Sequence, residues 1–245
     1  MKILLLTKSK MYTCRLLEDL INEHTVVAVV CKNKEILAGT EMEKICIKEN
    51  IPVIENNEMY TMLGKGTLPE ADLAISNTYG RLIKKPLLDF LNGNCINIHC
   101  AILPAYKGVM SYNFGILNEE NEWGVTAHYI NEEFDQGDII KIYKFPITSA
   151  AITVGELEKM AQEAAYRLTL EVINNWEKEG RPVGKPQEKT GKYYSREDFE
   201  KAKKIDLNSS AEEIERKIRA FYCPPYEGAY IEIEGKHFQL LPLNH

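Results

Sequence analysis

The sequence predicts an α/β fold with a Rossmann-like, mostly parallel sheet and helices on both of its faces. Apolar runs of strand length alternate with helical patterns over the first hundred residues, which is typical of repeated β-α units. The chain has 245 residues, of which 44% are hydrophobic, so it can bury one large core and a smaller appendage. We expect a large domain over residues 1–184 and a small helix and β-hairpin region over 185–245.

Each predicted element has its own signal. Residues 2–6 form an apolar strand, and residues 11–23 carry leucine and isoleucine at helical spacing. Further strands are predicted at 26–31, 52–54, 72–76, 95–99 and 124–129, with helices at 41–49, 87–91 and 112–117. A capping-box pattern at Thr153 and Glu156 opens a long helix that closes at Gly180. After a Pro/Gly-rich candidate linker at 181–191, a capped helix is predicted within 208–222 and a hairpin at 229–240.

Composition narrows the class of protein. The formal charge of −6 argues against binding nucleic acid by broad electrostatics. Six cysteines without a Cys-x-x-Cys pair favour reduced, buried thiols over disulfides or zinc ligands, and no metal is expected. No apolar run approaches the length of a membrane span, and the apolar stretch at the start is too short for a signal peptide, so a cytoplasmic protein is expected.

The first β-α turn contains Lys8, Ser9 and Lys10 and lacks a Gly-x-Gly-x-x-Gly pattern, which argues against a dinucleotide cofactor. Two interpretations of this turn remain. The N–H groups and the dipole of a helix N-terminus favour an anion, and the two lysines suit a phosphate. The same residues also fit a solvated turn with no ligand.

Residues 95–108 combine an apolar strand with a polar cluster and a Pro/Gly turn. In a strand, Asn97 and His99 project from the same face, so an amide donor and an imidazole can converge on one substrate atom. Such a pair can bind a developing oxyanion and move a proton. Ligands of open α/β sheets bind beyond the carboxyl ends of the strands, where this pair is expected. Taken alone, the pair also fits a structural role, with the histidine bonded to a backbone carbonyl.

The order Asn-Ile-His-x-x-x-Leu-Pro-x-Tyr-Lys-Gly that begins at Asn97 resembles the signature of the formyltransferases that use 10-formyltetrahydrofolate. That signature reads Asn-x-His-x-x-x-Leu-Pro-x-Tyr-Arg-Gly. The chain departs from it at Cys100 and Ala101, where the family has Pro-Ser. It departs again at Lys107, which keeps the charge of the family's arginine and loses its bidentate fork.

A second segment, FDQGDI at residues 134–139, resembles the Asp-x-Gly-Asp-Ile element of the same family. Alone it is a common turn. With the first signature at the family's order and approximate spacing, it implies that Asp135 is the carboxylate paired with His99. Asp138 is expected to cap the turn. His128 is interpreted as a strand histidine in preference to a catalytic one.

The resemblance implies a mechanism and a set of binding residues. Asn97 donates to the oxyanion that forms when an amine attacks the formyl carbon, His99 carries the proton, and Asp135 orients the imidazole. Neither a covalent enzyme intermediate nor a metal is implied. The residues expected to bind the folate co-substrate are Ser76, Asn77, Thr78, Tyr79, Asn97, Asp135 and Asp138. Those expected to bind the acceptor substrate are Lys8, Ser9, Lys10, Tyr106, Lys107, Gly108 and Tyr222.

The C-terminal region distinguishes the branches of this family. From residue 185 onward there are 11 lysines and arginines against 11 aspartates and glutamates, so the region is neutral. Methionyl-tRNA formyltransferases carry a larger and more basic barrel domain there. The run IRAFYCPPYEGA at 218–229 is similar to the Arg-Ala-Phe-x-x-Pro-Pro-Tyr-x-Gly-Ala run of sugar N-formyltransferases. The resemblance therefore implies formyl transfer to the amine of a nucleotide-linked amino-deoxysugar, with dTDP as the nucleotide.

Two alternatives stay open at this point. The first is a methionyl-tRNA formyltransferase, which the neutral tail disfavours. The second is a folate- or nucleotide-binding module whose active site has decayed, which the intact Asn97, His99 and Asp135 disfavour. Neither nucleic acid nor a membrane is an expected partner. A two-stranded hairpin cannot bury its own apolar faces. The resemblance to the sugar branch implies that a homodimer covers them, and the competing outcome is that the hairpin packs back onto its own chain.

Overall fold

The computed structural model describes residues 1–242 of the chain, and its elements are numbered here in chain order. The strands are β1 (Lys2–Thr7), β2 (Thr25–Cys31), β3 (Val53–Glu55), β4 (Leu73–Asn77), β5 (Cys95–His99), β6 (Tyr106–Gly108), β7 (Glu122–Tyr129), β8 (Ile139–Pro146), β9 (Lys192–Tyr194), β10 (Tyr230–Ile233) and β11 (Lys236–Gln239). The helices are α1 (Met11–Glu23), α2 (Glu41–Lys48), α3 (Asn56–Gly64), α4 (Lys85–Phe90), α5 (Ser111–Leu117), α6 (Val154–Glu179), α7 (Arg196–Lys203) and α8 (Ala211–Phe221).

Seven strands form one sheet in the order β3-β2-β1-β4-β5-β7-β8. The pairs among the first five strands are parallel, and β7 runs antiparallel to β5. Helices surround this sheet, and β10 and β11 form a small antiparallel hairpin near the C-terminus. The predicted Rossmann-like fold with its small C-terminal hairpin is therefore confirmed. Parallel pairing matters for the site because it brings the carboxyl ends of β1, β2, β4 and β5 to one edge.

The chain divides into two compact units. Among the described residues, the first unit contains 1–99, 126–142 and 165–188, and the second contains 100–125, 143–164 and 189–242. In the first unit the central strand β1 is buried from Ile3 to Thr7, which agrees with its continuous apolar run. Because both units are discontinuous in sequence, this division does not test the domain boundary predicted at 184/185, which stays a prediction.

An aromatic cluster forms part of the core of the second unit. Tyr106, Trp123 and Tyr194 are buried, and the rings of Tyr106 and Tyr194 stack with centroids 5.6 Å apart. The ring of Trp123 lies against Gly115 in α5, where an added Cβ would overlap it. In the same unit β6 pairs with β9, and neither this small sheet nor α7 is predicted from the sequence.

The long helix α6 begins as its sequence predicts. The hydroxyl of Thr153 accepts the Glu156 N–H over 3.4 Å, and the Glu156 carboxylate accepts the Thr153 N–H over 2.8 Å. This reciprocal pair satisfies backbone donors that the first turn leaves open. The helix ends before Gly180, whose φ of 82° is suited to glycine. Among residues 1–242, no helix has the length and apolar character needed to cross a membrane.

Residues 181–191, which are predicted to be a linker, are instead held to the first unit over part of their length. Lys185 and Ile139 exchange two backbone hydrogen bonds of 2.8 Å each. Gly184 packs so closely against the Asp138 side chain and the Tyr129 ring that an added Cβ would overlap Asp138 Cβ. The Pro/Gly-rich composition of this segment therefore reflects close packing as much as chain flexibility.

Candidate active site

A row of polar side chains crosses three neighbouring strands of the first unit. Ser76 on β4 is in register with Asn97 on β5, and Asn97 is in register with His128 on β7. Ser76 and His128 are buried, whereas Asn97 is only partly buried. Strand register therefore places an amide between a hydroxyl and an imidazole, at the edge where β5 ends in His99.

The side-chain amide of Asn97 is held in one orientation. Ser76 Oγ donates to Asn97 Oδ1 over 2.8 Å, and Asn97 Nδ2 lies 3.1 Å from His128 Nε2. An Asn amide has two N–H donors, so the bond to His128 uses one of them. Because the amide group is planar, the bond to His128 also fixes the direction of the second N–H.

His128 is neutral in this environment. Its Nδ1 lies 2.7 Å from the carbonyl oxygen of Tyr129, which can only accept, so Nδ1 carries the proton and Nε2 accepts from Asn97. The pKa of His128 is lowered to about 4, chiefly by burial and to a smaller extent by His99, and the charge of Asp135 opposes this shift. The interpretation of His128 as a strand histidine is correct as to its position on β7, but it overlooks the contact with Asn97.

His99 and Asp135 form the second part of the cluster. His99 Nδ1 lies 3.5 Å from Asp135 Oδ1, and about a tenth of each side chain is exposed. The same carboxylate oxygen lies 3.8 Å from His128 Nε2, which is too long for a hydrogen bond. The structure thus brings together the three residues Asn97, His99 and Asp135 that the sequence singles out.

The loop that carries Asp135 is tightly constrained. Asp135 itself has a φ of 55°, a left-handed conformation that Asp adopts more readily than most residues. Gly137 packs so closely that an added Cβ would overlap the carbonyl oxygen of Tyr129. Phe134 precedes the carboxylate and is 46% exposed, which places a large apolar ring at the surface beside it. Asp138, predicted to bind the folate or cap the turn, is exposed, and its carbonyl accepts the Tyr129 N–H.

The residues at the end of β4 divide into two kinds. Asn77 Oδ1 and Thr78 Oγ1 are buried without a hydrogen-bond partner, and Thr78 has a φ of 59°, which is unusual for a β-branched residue. Tyr79, by contrast, is 4% exposed, lies in the apolar core, and donates its hydroxyl to Asn56 over 2.7 Å. Its side chain is therefore part of the core and is not presented to a ligand.

The predicted acceptor-binding residues lie in both units. In the first, Lys8, Ser9 and Lys10 follow β1, and the Lys10 N–H donates to Thr13 within the α1 capping box. In the second unit Tyr106 is buried and donates its hydroxyl to Glu120 over 2.6 Å. The aromatic packing around Tyr106 explains why its side chain belongs to the core and does not serve as a surface contact.

The remaining acceptor-binding candidates belong to the second unit. Lys107 Nζ donates to the Thr190 carbonyl over 3.3 Å, and an added Cβ at Gly108 would overlap the Tyr194 carbonyl oxygen. Tyr222 caps the C-terminus of α8 and is half-buried. Of this group, Tyr222 and Lys107 are the side chains that retain access to solvent.

The site has the groups for one kind of chemistry. A fixed amide donor beside an imidazole-carboxylate pair can stabilise an oxyanion and exchange a proton. Cys95 shares the strand with Asn97, but burial raises the pKa of its thiol to about 12, which makes it a poor nucleophile. Within residues 1–242, no three His, Cys, Asp or Glu side chains are grouped as metal ligands. The fold and site together define an α/β enzyme suited to acid-base group transfer.

Comparison with known protein families identifies the group that is transferred. Residues 1–173 match the formyl transferase family, and residues 200–245 match the C-terminal domain of formyl transferases. The chain therefore belongs to the formyl transferase family. A methionyl-tRNA formyltransferase from Protochlamydia amoebophila is 30% identical over 241 residues, covering 94% of this chain and 74% of that protein.

Solved structures show the same fold. A 4-N formyltransferase from Francisella tularensis superposes with a TM-score of 0.82 over 98% of this chain and 96% of that one, at 23% identity. An N-formyltransferase from Helicobacter canadensis, in complex with folinic acid and dTDP-3-aminofucose, has a TM-score of 0.75 and 25% identity. The superposition covers 96% of this chain and 84% of the Helicobacter canadensis chain. The predicted folate-dependent N-formyltransferase class is confirmed, whereas the acceptor is not.

Proposed function

We propose that this enzyme transfers the formyl group of 10-formyltetrahydrofolate to the amine of a dTDP-linked amino-deoxysugar. The observation that carries the chemistry is the grouping of Asn97, His99 and Asp135, with His99 Nδ1 3.5 Å from the carboxylate. The observation that carries the choice of acceptor is the neutral charge of residues 185–245.

The cluster matches the steps of formyl transfer. The amine attacks the formyl carbon, and the resulting oxyanion accepts the second Nδ2–H of Asn97, while Ser76 and His128 keep the amide in place. The nitrogen of the amine must lose a proton and N10 of the folate must gain one before the intermediate collapses. Since Asp135 engages Nδ1 of His99, Nε2 is the ring nitrogen that we assign to this proton transfer.

Two buried acceptor atoms support a folate site at the end of β4. Asn77 Oδ1 and Thr78 Oγ1 lack partners, and burying polar atoms without hydrogen bonds is costly. The pterin of a folate carries N–H donors that can satisfy both atoms once a shift at the end of β4 uncovers them. Ser76 contributes indirectly in this proposal, because its hydroxyl is bonded to Asn97, and the Tyr79 side chain is not a ligand.

Several features support a nucleotide-sugar acceptor. An RNA acceptor calls for a surplus of lysine and arginine to meet its phosphates, and the C-terminal region has none. Lys8, Ser9 and Lys10 lie at the N-terminus of α1, which suits a small anion such as a diphosphate. The Helicobacter canadensis enzyme, which is similar over most of its length, is described in complex with a dTDP-amino sugar.

Methionyl-tRNA is the second candidate acceptor, because relatives such as the 30%-identical Protochlamydia amoebophila protein are methionyl-tRNA formyltransferases. The two acceptors make different demands on charge. A tRNA acceptor predicts steep loss of activity with salt, since each neutralised phosphate releases a counterion, whereas a nucleotide sugar predicts a shallow dependence.

Substitutions in the catalytic cluster test the chemistry. We expect His99→Asn and Asn97→Ala to lower kcat by about 10²-fold or more with the fold intact, because each removes a group used in the transition state. His237→Asn, on the exposed hairpin, is the matched control and should retain kcat. Near-normal turnover of either folded site variant would remove that residue from the mechanism.

Tyr222 offers a test of acceptor binding. Stacking on a remote base is similar in the ground and transition states, so Tyr222→Ala should raise KM for the nucleotide sugar more than it lowers kcat. A loss confined to kcat would contradict a base-stacking role for this ring.

We also propose that the enzyme is a homodimer. Ile233 and Phe238 on the β10-β11 hairpin are 49% and 48% exposed, and Ile231 and Leu240 are partly exposed. A two-stranded sheet cannot cover such a surface alone, and a second copy is the partner we assign to it. Light scattering at micromolar concentration should give the mass of a dimer, and a monodisperse monomer would contradict the assignment.

A further inference from the structure

Gln187 lies beside the loop of the catalytic carboxylate, although nothing in the sequence marks it as functional. Its Nε2 donates to the carbonyl oxygen of Asp135 over 2.9 Å and to that of Gly137 over 2.8 Å. These are the backbone carbonyls on either side of the turn that presents the carboxylate. The side chain thus closes the Asp135 turn from outside.

The orientation of the Gln187 amide follows from its partners. Both contacted atoms are carbonyl oxygens, which only accept, so the amide nitrogen and not the oxygen must face them. The opposite atom, Oε1, is buried without a hydrogen-bond partner. Both N–H groups of the amide therefore bond to the Asp135 turn, while its oxygen is left without a hydrogen bond.

The backbone next to Gln187 is anchored as well. Lys185 and Ile139 exchange two backbone hydrogen bonds, so the segment that carries Gln187 is tied to the strand that follows the loop. Asp135 needs such support because its φ of 55° is not a preferred conformation for a residue with a side chain. The Lys185–Ile139 backbone pair and the two hydrogen bonds from Gln187 together hold the loop so that its carboxylate stays near His99.

We propose that Gln187 is a positioning residue, which acts on catalysis by fixing the backbone turn that holds Asp135 against His99. The inference rests on the proposed role of Asp135 in proton transfer. It predicts that Gln187 belongs functionally to the active site, although it is remote from the two signature segments in sequence.

Two substitutions separate the hydrogen bonds from packing. Gln187→Leu keeps similar bulk and removes both donors, and Gln187→Glu keeps the shape and places an acceptor against two carbonyl oxygens. Each should lower kcat by about 10- to 10²-fold, since a displacement of about 1 Å at a catalytic group can have an effect of that size. KM for the amino sugar nucleotide should stay within about twofold, because Gln187 does not contact substrate in this scheme.

A double substitution distinguishes positioning from a general structural role. If Gln187 acts through Asp135, then Gln187→Leu added to Asp135→Asn should change kcat by less than about twofold beyond Asp135→Asn alone. Tyr129→Phe is the matched control, because it removes the 2.6 Å hydrogen bond from the Tyr129 hydroxyl to the Pro182 carbonyl in the same segment and leaves the Asp135 turn bonded. This control should retain kcat.

The outcomes separate this inference from the function on which it rests. Normal turnover by Asp135→Asn would remove the catalytic role of Asp135 and the inference with it. An impaired Asp135→Asn with a normal Gln187→Leu would overturn the inference alone. Multiplicative losses in the double variant, or an equal loss in Tyr129→Phe, would also overturn it. A loss in both Gln187 variants that disappears in the Asp135→Asn background is the expected result.

Discussion

Lowering the pH from 7.5 to 5.0 should destabilise this protein through His128. Burial holds the pKa of His128 at about 4 in the folded state, against an ordinary value of 6.5. At pH 7.5 the imidazole is almost entirely neutral in both states, so its titration contributes almost nothing to stability there. Below that pH the unfolded chain binds a proton that the buried ring does not, so unfolding becomes more favourable until the pH reaches about 4.

The size of this effect follows from the two pKa values. Their separation corresponds to a total loss of about 3 kcal/mol, of which about 2 kcal/mol is lost by pH 5. His128→Gln removes the titrating group and keeps an oxygen that can accept from Asn97. Urea unfolding of both proteins at pH 7.5 and pH 5.0 measures the difference. The free energy of unfolding of the variant should fall by about 2 kcal/mol less than that of the wild type.

The comparison between the two proteins is the control, because the titrating groups that do not interact with His128 contribute equally to both; Asp135 and His99 are the groups that do interact with it. Parallel losses of stability in the wild type and in His128→Gln would refute the assignment of a neutral, buried His128. They would also remove the reason for treating its Nε2 as the acceptor that orients the Asn97 amide.

Two further predictions concern close backbone approaches. Gly137→Ala should lower kcat by at least about tenfold, because the new Cβ would overlap the Tyr129 carbonyl oxygen and displace the Asp135 loop; steady-state formylation measures this, and an unchanged kcat would show that the loop tolerates the shift. Gly115→Ala should destabilise the fold by about 1 to 3 kcal/mol, because its Cβ would overlap the buried ring of Trp123. Thermal unfolding measures that loss, and an unchanged Tm would contradict it.

The sequence predicts the parts of the fold that depend on long or strongly patterned segments. The apolar strand β1 and the capped helix α6 follow from hydrophobic periodicity and the Thr153–Glu156 capping pattern, and the structure confirms both. The pairing of β6 with β9 could not be predicted, because strands of three residues carry too little periodicity. The α7 helix is not among the predicted elements, although Ser195 and Asp198 at its N-terminus form a capping box that is a recognisable signal.

The site divides in the same way. Asn97 and His99 lie in one strand, so their common face follows from the two-residue repeat of a strand. The contact between Asn97 and His128 depends on the antiparallel register of β5 and β7, which no local pattern determines. The contact of Gln187 with the Asp135 loop could not be predicted either, because residues about fifty positions apart in sequence form it. Tyr106 is predicted to bind the acceptor, but its side chain packs against aromatic neighbours in the core.

A parallel assay of acceptors tests the proposed formyl transfer to a nucleotide sugar most directly. The purified enzyme is incubated with labelled 10-formyltetrahydrofolate and, separately, with a panel of dTDP-amino-deoxysugars and with methionyl-tRNA. We expect saturable formylation of a dTDP-amino sugar that is lost in His99→Asn, together with no transfer to methionyl-tRNA. Transfer to methionyl-tRNA and to none of the amino sugar nucleotides would contradict it.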